Sequence, residues 1–262
     1  MSVPVLLDFD GCLGPGVRGF TSTRQGGRSV GDYSSLNLGT NTGDDPTAVL
    51  ANRRAAFEAA GLDPAQGVFL QQVHGAGIRE AVIRDAGRGL ARWDDGLPAC
   101  DAVFTRQRGL GLSIGHADCL AVVLVDAEAG LLGLAHAGWR GALAQLPALL
   151  AQRLMDEGAE ASRLRALLSP CLSASRLELG EDQHRLFSQA FSHSQAFSGP
   201  LVQGKFHLDL QACASVQLLE KGLSPAHILA QPLCSDSSAS LFFSHRRDQG
   251  KTGRMLTVAY LS

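Results

Sequence analysis

Residues 115–141 read GHADCLAVVLVDAEAGLLGLAHAGWRG. Two apolar runs, residues 120–125 and 131–135, flank a turn-prone segment at 126–130, and that pattern is strand, turn, strand. A hairpin of this kind returns its two ends to the same end of a sheet. Cys119 stands just before the first strand and His136 just after the second, so a thiolate and an imidazole come within reach of one ion. Both are zinc-type donors. The best candidate for a third ligand is His74 in QQVHG (residues 71–75), which closes the apolar stretch 68–73. Spacing alone leaves an alternative open. Free cysteine is among the most buried residue types, a lone histidine is commonly structural, and no CxxC pair or HExxH helix is present.

Of the 262 residues, 45% are hydrophobic, enough for a sizeable core, and the length fits one domain over residues 1–262. A formal net charge of −2 gives no basic footprint for nucleic acid and no polybasic membrane patch. Six cysteines, at 12, 100, 119, 171, 213 and 234, are scattered without a paired framework, as in a reducing compartment. The first residues, MSVPVLLDFDGCLG, lack a basic n-region and are too short in apolar content for a signal peptide or membrane span. The expectation is a soluble, cytoplasmic protein with a small-molecule partner and neither nucleic acid nor membrane.

Two motif matches point elsewhere and lack their context. LLDFDGCL at residues 6–13 looks like the first motif of haloacid-dehalogenase phosphatases, but that chemistry also needs a downstream Lys and a further acidic pair, and no convincing DD or GDxxxD follows an apolar strand. The plainer reading is an N-terminal strand and turn. GLSIG at 111–115 matches the G-x-S-x-G nucleophile elbow, which needs a helix after the Ser. Here another β-rich run follows, so Ser113 reads as a strand residue.

Residues 19–43, rich in Gly, Ser, Thr and Asn, read as a strand followed by long ordered loops. Thr23, Arg24, Asn37 and Asn41 suit a sugar or a phosphate, Arg24 foremost because a guanidinium fork fits an oxyanion; otherwise they make turns. Residues 45–61 read as a helix, with Pro46 near its start, Gly61 past its end and Arg53 near its middle. The polar loop 94–101 leads into a strand at 102–104, and Asp101 there either faces the site or caps a turn. An amphipathic helix at 141–157 places Trp139 and Arg140 at a strand-to-helix junction, where anions are favoured. Trp139 either stacks on a base or packs in the core. Residues 190–204 read as a loop or lid, 208–222 as a second amphipathic helix, and 241–247 as a strand ending in a basic cluster.

Ordered motifs run along nearly the whole chain: TSTRQGGRS (21–29), YSSLNLGTNTGDDP (33–46), NRR (52–54), QQVHG (71–75), CDAVFT (100–105), ADCLAVVLVD (117–126), HAGWRG (136–141) and FFSHRRDQGKTGRM (242–255). In these the chain resembles the YfiH-like proteins, the domain once called multicopper polyphenol oxidase or laccase. The resemblance implies an α+β domain of mixed sheets packed face to face with flanking helices. It also implies metal ligands at His74, Cys119 and His136, and purine nucleoside chemistry, with peptidoglycan editing in some bacteria. The chain departs from the family pattern at several places. Its N-terminal segment is atypical, His116 stands where the family has a hydroxyl or small residue, and Ala121 replaces a proline. Cys171 falls where the family is small and apolar, and His245 where it often has Tyr.

Three protein ligands leave one zinc position open, which lowers the pKa of bound water. That water suits attack on C6 of adenosine. The resemblance implies phosphorolysis at C1′ of adenosine, inosine, guanosine or methylthioadenosine, with phosphate positioned by Arg24 or Arg53. His74, Cys119, His136 and Arg24 are then the catalytic set, and Asn37, Arg53, Asp118, Trp139 and Arg140 further substrate contacts. The cytidine-deaminase layout of HxE with PCxxC is missing. Three other readings stand beside this one. Cys119 with His136 as base makes a hydrolase for a peptidoglycan precursor. A copper polyphenol oxidase should cluster its histidines, and none of the eight forms an HxH pair, although copper competes well for His and Cys. A non-enzymatic protein would hold metal and ligand without turnover.

Overall fold

The hairpin at 120–135 forms, and both of its strands are buried along their whole length in the computed structural model, which describes residues 3–262. In chain order the strands are β1 (Leu6–Asp8), β2 (Val17–Ser22), β3 (Gly67–Phe69), β4 (Ile78–Glu80), β5 (Ala102–Thr105), β6 (Gly111–His116), β7 (Leu120–Asp126), β8 (Leu131–Ala137), β9 (Arg165–Leu168), β10 (Glu178–Gly180), β11 (Lys205–His207), β12 (Ile228–Ala230) and β13 (Met255–Leu261). The helices are α1 (Pro46–Ala59), α2 (Trp139–Leu143), α3 (Leu146–Asp156), α4 (Glu181–Ala190) and α5 (Leu210–Glu220). No helix among the described residues is long and apolar enough to cross a membrane.

Two mixed sheets dominate: β1-β2-β13-β6-β3 and β12-β9-β7-β8-β5-β4, with β10 and β11 forming a small ribbon. Successive side chains of a strand point to opposite faces, and β7 uses both. Ala121, Val123 and Val125 meet Leu112 and Ile114 of β6 between the two sheets. Leu120, Val122 and Leu124 turn outward against Leu146, Leu150 and Leu154 of α3 and Leu210 and Leu218 of α5. On the far side, Ala56 and Phe57 of α1 cover Phe20, Phe69, Leu256 and Val258 of the first sheet. The order of layers is helix, sheet, sheet, helix, which is the expected α+β architecture. A strand buried on both faces has no use for polar alternation, hence the unbroken apolar run.

Helix α1 begins where its signals predict. The Asp45 carboxylate accepts from Thr47 N at 2.9 Å, Pro46 takes the first helical position, and Gly61 follows the end at φ +69°.

Four local expectations change. The helix expected at 141–157 divides into α2 and α3, because Gln145 between them is left-handed at φ 57°. His136 lies inside β8 rather than after it, paired across the ladder with Ala121. Residues 241–247 are irregular, not a strand: the Arg247 guanidinium donates to the carbonyls of Ser235, Asp236 and Phe242 and so curls the chain back on itself. Residues 190–204 are more than a polar loop. They contribute Phe191 and Phe197 to an aromatic cluster with Phe187 and Phe206, with ring centroids 5.2–6.3 Å apart.

Candidate metal centre

Between β6 and β7 the chain crosses from one sheet to the other in three residues, 117–119. So short a crossing forces Asp118 into the left-handed region at φ 90°. The surroundings hold it there. Its carboxylate accepts from Ser235 Oγ and from Arg246 N, both at 2.6 Å, and its carbonyl accepts from Leu172 N at 2.8 Å. Cys119 is thereby presented at the end of the sandwich.

His74 is also left-handed, at φ 58°. Here the restraint is the buried carboxylate of Asp101, which accepts from Val73 N (3.1 Å), His74 N (3.0 Å) and Gly75 N (2.7 Å). The same carboxylate accepts from His136 Nδ1 at 2.9 Å, and the Asp101 carbonyl accepts from His136 N at 2.7 Å. Backbone strain persists only where neighbours over-determine it, and both strained residues belong to this corner of the molecule.

The ligand atoms of His74, Cys119 and His136 all lie within 4.8 Å of one another. The two imidazole rings stand 4.8 Å apart at 63°. A tetrahedral zinc separates its ligands by roughly 3.5 Å, so a small contraction encloses an ion. Gly138 makes room for the thiol: a Cβ there would stand 2.7 Å from Cys119 Sγ. Its φ of −72° is open to any residue, so the glycine is needed for space and not for conformation. The donor set is two imidazoles and a thiol, graded from exposed His74 through half-buried Cys119 to buried His136, and it fits a metal ion.

The charges agree with that fit. Burial pushes the Cys119 thiol up, but His136 and His74 more than offset this through charge and hydrogen bonds, leaving it below the ordinary thiol value. Burial lowers His136, and the Cys119 thiolate and Asp101 overcome that and raise it. Burial likewise raises Asp101, and its bonds from His136 and the backbone N–H groups bring it below the usual carboxylate range.

These three residues form one wall of a cavity of about 310 Å³. Its floor is Ser113 and Gly115 of β6, Leu256 of β13 and Phe69 of β3, and Trp93, Trp139, His245 and Arg254 stand around it. The Gln72 amide clamps Gly115, donating to its carbonyl and accepting from its N–H, both at 2.8 Å. Two buried polar atoms beside the floor, Ser113 Oγ and His116 Nδ1, have no hydrogen-bond partner. The other ring nitrogen of His116 is shared with Thr257 Oγ1 at 2.9 Å. Burial, with the charge of His136 added, lowers His116 to about 3, so its ring is neutral.

The other candidate residues are distributed unevenly. Asp118 and Trp139 line the cavity, whereas Arg140 stacks on Trp139 with its guanidinium 4.4 Å from the ring and is not among the lining residues. Arg53 does line it, but most of its guanidinium serves the backbone: Nε donates to Leu38 O at 2.6 Å, Nη1 donates to Gly89 O and Leu90 O, and the group lies 4.0 Å over the Phe69 ring. Arg24 lies outside the lining set, bonded to the carbonyls of Ser34 and Ala239 and stacked on Phe243. Asn37 is fully buried and structural, tying Gly39, Thr42, Asp44 and Arg254 together. Sequence reading did not single out Arg254, Gln72 or Trp93. The available signal for Arg254 was its place directly before the apolar final strand, which pairs with β6.

Residues 18–262 match the family model described as multi-copper polyphenol oxidoreductase laccase. The purine nucleoside phosphorylase YlmD of Bacillus subtilis (strain 168) is 30% identical over 242 residues, covering 92% of this chain and 87% of that protein. The adenosine deaminase RL5 of an unknown prokaryotic organism is 32% identical over 257 residues, 97% of either chain. The crystal structure of YlmD from Geobacillus stearothermophilus superposes with a TM-score of 0.91 at 32% identity, over 94% of this chain and 92% of that one. With its fold and nearly its whole length matched, the chain belongs to the YfiH-like family, the multi-copper polyphenol oxidoreductase laccase family of that model.

Proposed function

We propose that this chain is a zinc-dependent purine nucleoside enzyme, a single cytoplasmic domain that phosphorolyses adenosine, inosine, guanosine or methylthioadenosine and deaminates adenosine. The observation that carries the reading is the convergence of His74, Cys119 and His136 on one wall of a cavity of about 310 Å³, within the size range of small-ligand sites. The relatives named purine nucleoside phosphorylase and adenosine deaminase support the substrate class. Two imidazoles and one thiolate with an open side suit zinc. The HxH pairs of a multicopper oxidase are missing from the sequence.

His74, Cys119 and His136 would hold the ion. Asp101 fixes His136 by accepting at Nδ1, which leaves Nε2 as the ligating nitrogen. When bound, zinc supplies a Lewis acid at that wall. In phosphorolysis a phosphate oxygen bonds to C1′ while the C1′–N9 bond breaks, its electron pair and then a proton going to the purine. In deamination a water oxygen bonds to C6 and ammonia leaves. The floor of Phe69, Gly115 and Leu256 offers a flat apolar bed for the base, and Trp93 and Trp139 offer aromatic faces. Ser113 Oγ and His116 Nδ1 are buried, unpaired polar atoms beside that bed.

One observation favours a second reading. Cys119, His136 and Asp101 stand as nucleophile, base and orienting acid, the arrangement of a cysteine hydrolase, which would act on an amide such as a peptidoglycan precursor. The two readings respond to metal in opposite ways. Metal-quantified protein is incubated with adenosine, with and without phosphate, beside a Cys119→Ala control. Adenine and ribose-1-phosphate formed only with phosphate, inosine formed without it, and loss of both on chelation or in the control support the zinc reading. No turnover by metal-replete protein, with hydrolysis of precursor that rises on chelation, supports the hydrolase.

A further inference from the structure

We infer that Arg254 holds the phosphate co-substrate, forming the anion subsite of this cavity. The inference rests on the phosphorolytic reading above and names the group that reading lacks. Of the expected phosphate ligands, Arg24 lies outside the cavity lining, and Arg53 commits Nε and Nη1 to three backbone carbonyls. Arg247 is paired with Asp248 at 2.7 Å. Arg254 has no carboxylate within ion-pair distance among the described residues.

Its position follows from the ladder. Met255 pairs with His116 and Leu256 with Gly115, so Arg254, one residue before β13, stands level with the crossing that presents Cys119. Residues two apart share a face of a strand, so Arg254 continues the cavity floor beyond Leu256 toward the metal wall.

The pose is restrained at four points. Its backbone N donates to Asn37 Oδ1 at 2.8 Å, and its carbonyl accepts from Leu38 N at 3.0 Å. Nη1 donates to the carbonyls of Thr252 and Gly253, each at 2.9 Å. Its stem packs on Gly39, where a Cβ would stand 2.6 Å from Cγ. One edge of the guanidinium is thus fixed, and the remaining donors are left for a ligand. Asp118, whose charge acts on it together with that of Cys119, has both carboxylate oxygens occupied by Ser235 and Arg246. A half-buried guanidinium without a directly paired carboxylate is costly, and a tetrahedral oxyanion matches its fork. Phosphate held there lies between the floor that carries the base and the wall that carries the ligands, where a phosphate oxygen can reach C1′.

The test uses metal-replete, full-length protein and an Arg254→Gln variant. Expected is a rise of about tenfold or more in the KM for phosphate during inosine phosphorolysis, well beyond any change in the KM for inosine. A KM for phosphate unchanged within about twofold overturns the inference, as does an equal rise in the KM for inosine. A second measurement needs neither the variant nor turnover. Wild-type protein is treated with phenylglyoxal in inorganic phosphate or in chloride of equal ionic strength, and labelling at Arg254 is read by peptide mass. Slowing of about threefold or more at Arg254 in phosphate, with Arg24 unaffected, sustains the subsite even if no nucleoside turns over, an outcome that rejects only the proposed reaction. Equal labelling in the two buffers overturns it.

Discussion

Asp101 Oδ1 stands 2.9 Å from His136 Nδ1, and the same carboxylate receives three backbone N–H groups from the turn that carries His74. One acid therefore orients two histidines, one on a turn and one inside β8. An amide in its place can accept on one atom only. Asp101→Asn should weaken metal affinity by about 10- to 100-fold. Competition against a chromogenic chelator reads this directly, and wild-type affinity in a folded variant would rule out the orienting role.

Gly138 tests the space around the thiol. Its backbone is ordinary, so Gly138→Ala adds only a methyl group 2.7 Å from Cys119 Sγ and 3.6 Å from His74 Nδ1. Metal content should fall to near zero at sub-saturating zinc, while the far-ultraviolet circular dichroism stays that of the parent. Full metal occupancy in the alanine protein would mean that the thiol does not face Gly138.

Arg53 and Arg24 should separate by stability. Arg53 is 4% exposed and serves three carbonyls. Arg53→Ala leaves those acceptors buried and unpaired, at about 3 kcal/mol, and Lys, without the planar fork, should recover little. Arg24→Ala should cost about 1 kcal/mol and leave the KM for phosphate unchanged. Urea denaturation midpoints rank the two, and an equal or reversed ranking contradicts the assignment.

Asp126 gives a stability term that depends on pH and lies away from the cavity. Burial raises its pKa, and bonds from Arg163 and from the N–H groups of Ala129 and Glu160 outweigh that and bring it below the ordinary 3.8. A carboxylate depressed in the folded state stabilises above its unfolded pKa, and this is lost as pH falls through the folded value. Asp126→Asn should lose about 2 kcal/mol at pH 7, and the gap to the wild type should shrink below about pH 4. Thermal unfolding across that range checks it; a gap that widens on acidification would reverse the sign.

The hairpin at 120–135 was legible because a strand buried on both faces carries its signal in every residue. Helix α1 was legible from Asp45, Pro46 and Gly61, whose effects reach only a few positions. Arg53 was misread for the same reason. Helical spacing puts it on the face of Val49, Ala56 and Phe57, all buried, but its charge suggests a ligand contact, and nothing nearby in sequence names the carbonyls it serves. Residues 241–243 carry the apolar letters of a strand, and only Arg247, caught on the carbonyls of Ser235, Asp236 and Phe242, reveals that the chain turns there.

By itself the sequence determined the strand–turn–strand centre and the pairing of Cys119 with His136 at one end of a hairpin, because apolar periodicity and turn chemistry act over short stretches of chain; the α+β class came from the family resemblance. Only the tertiary structure decided which polar groups face the cavity. Asp101 reaches His74 across 27 positions and His136 across 35, and Asn37 reaches Arg254 across 217. Such bonds join segments far apart in the chain, so no local pattern shows which arginine serves the backbone.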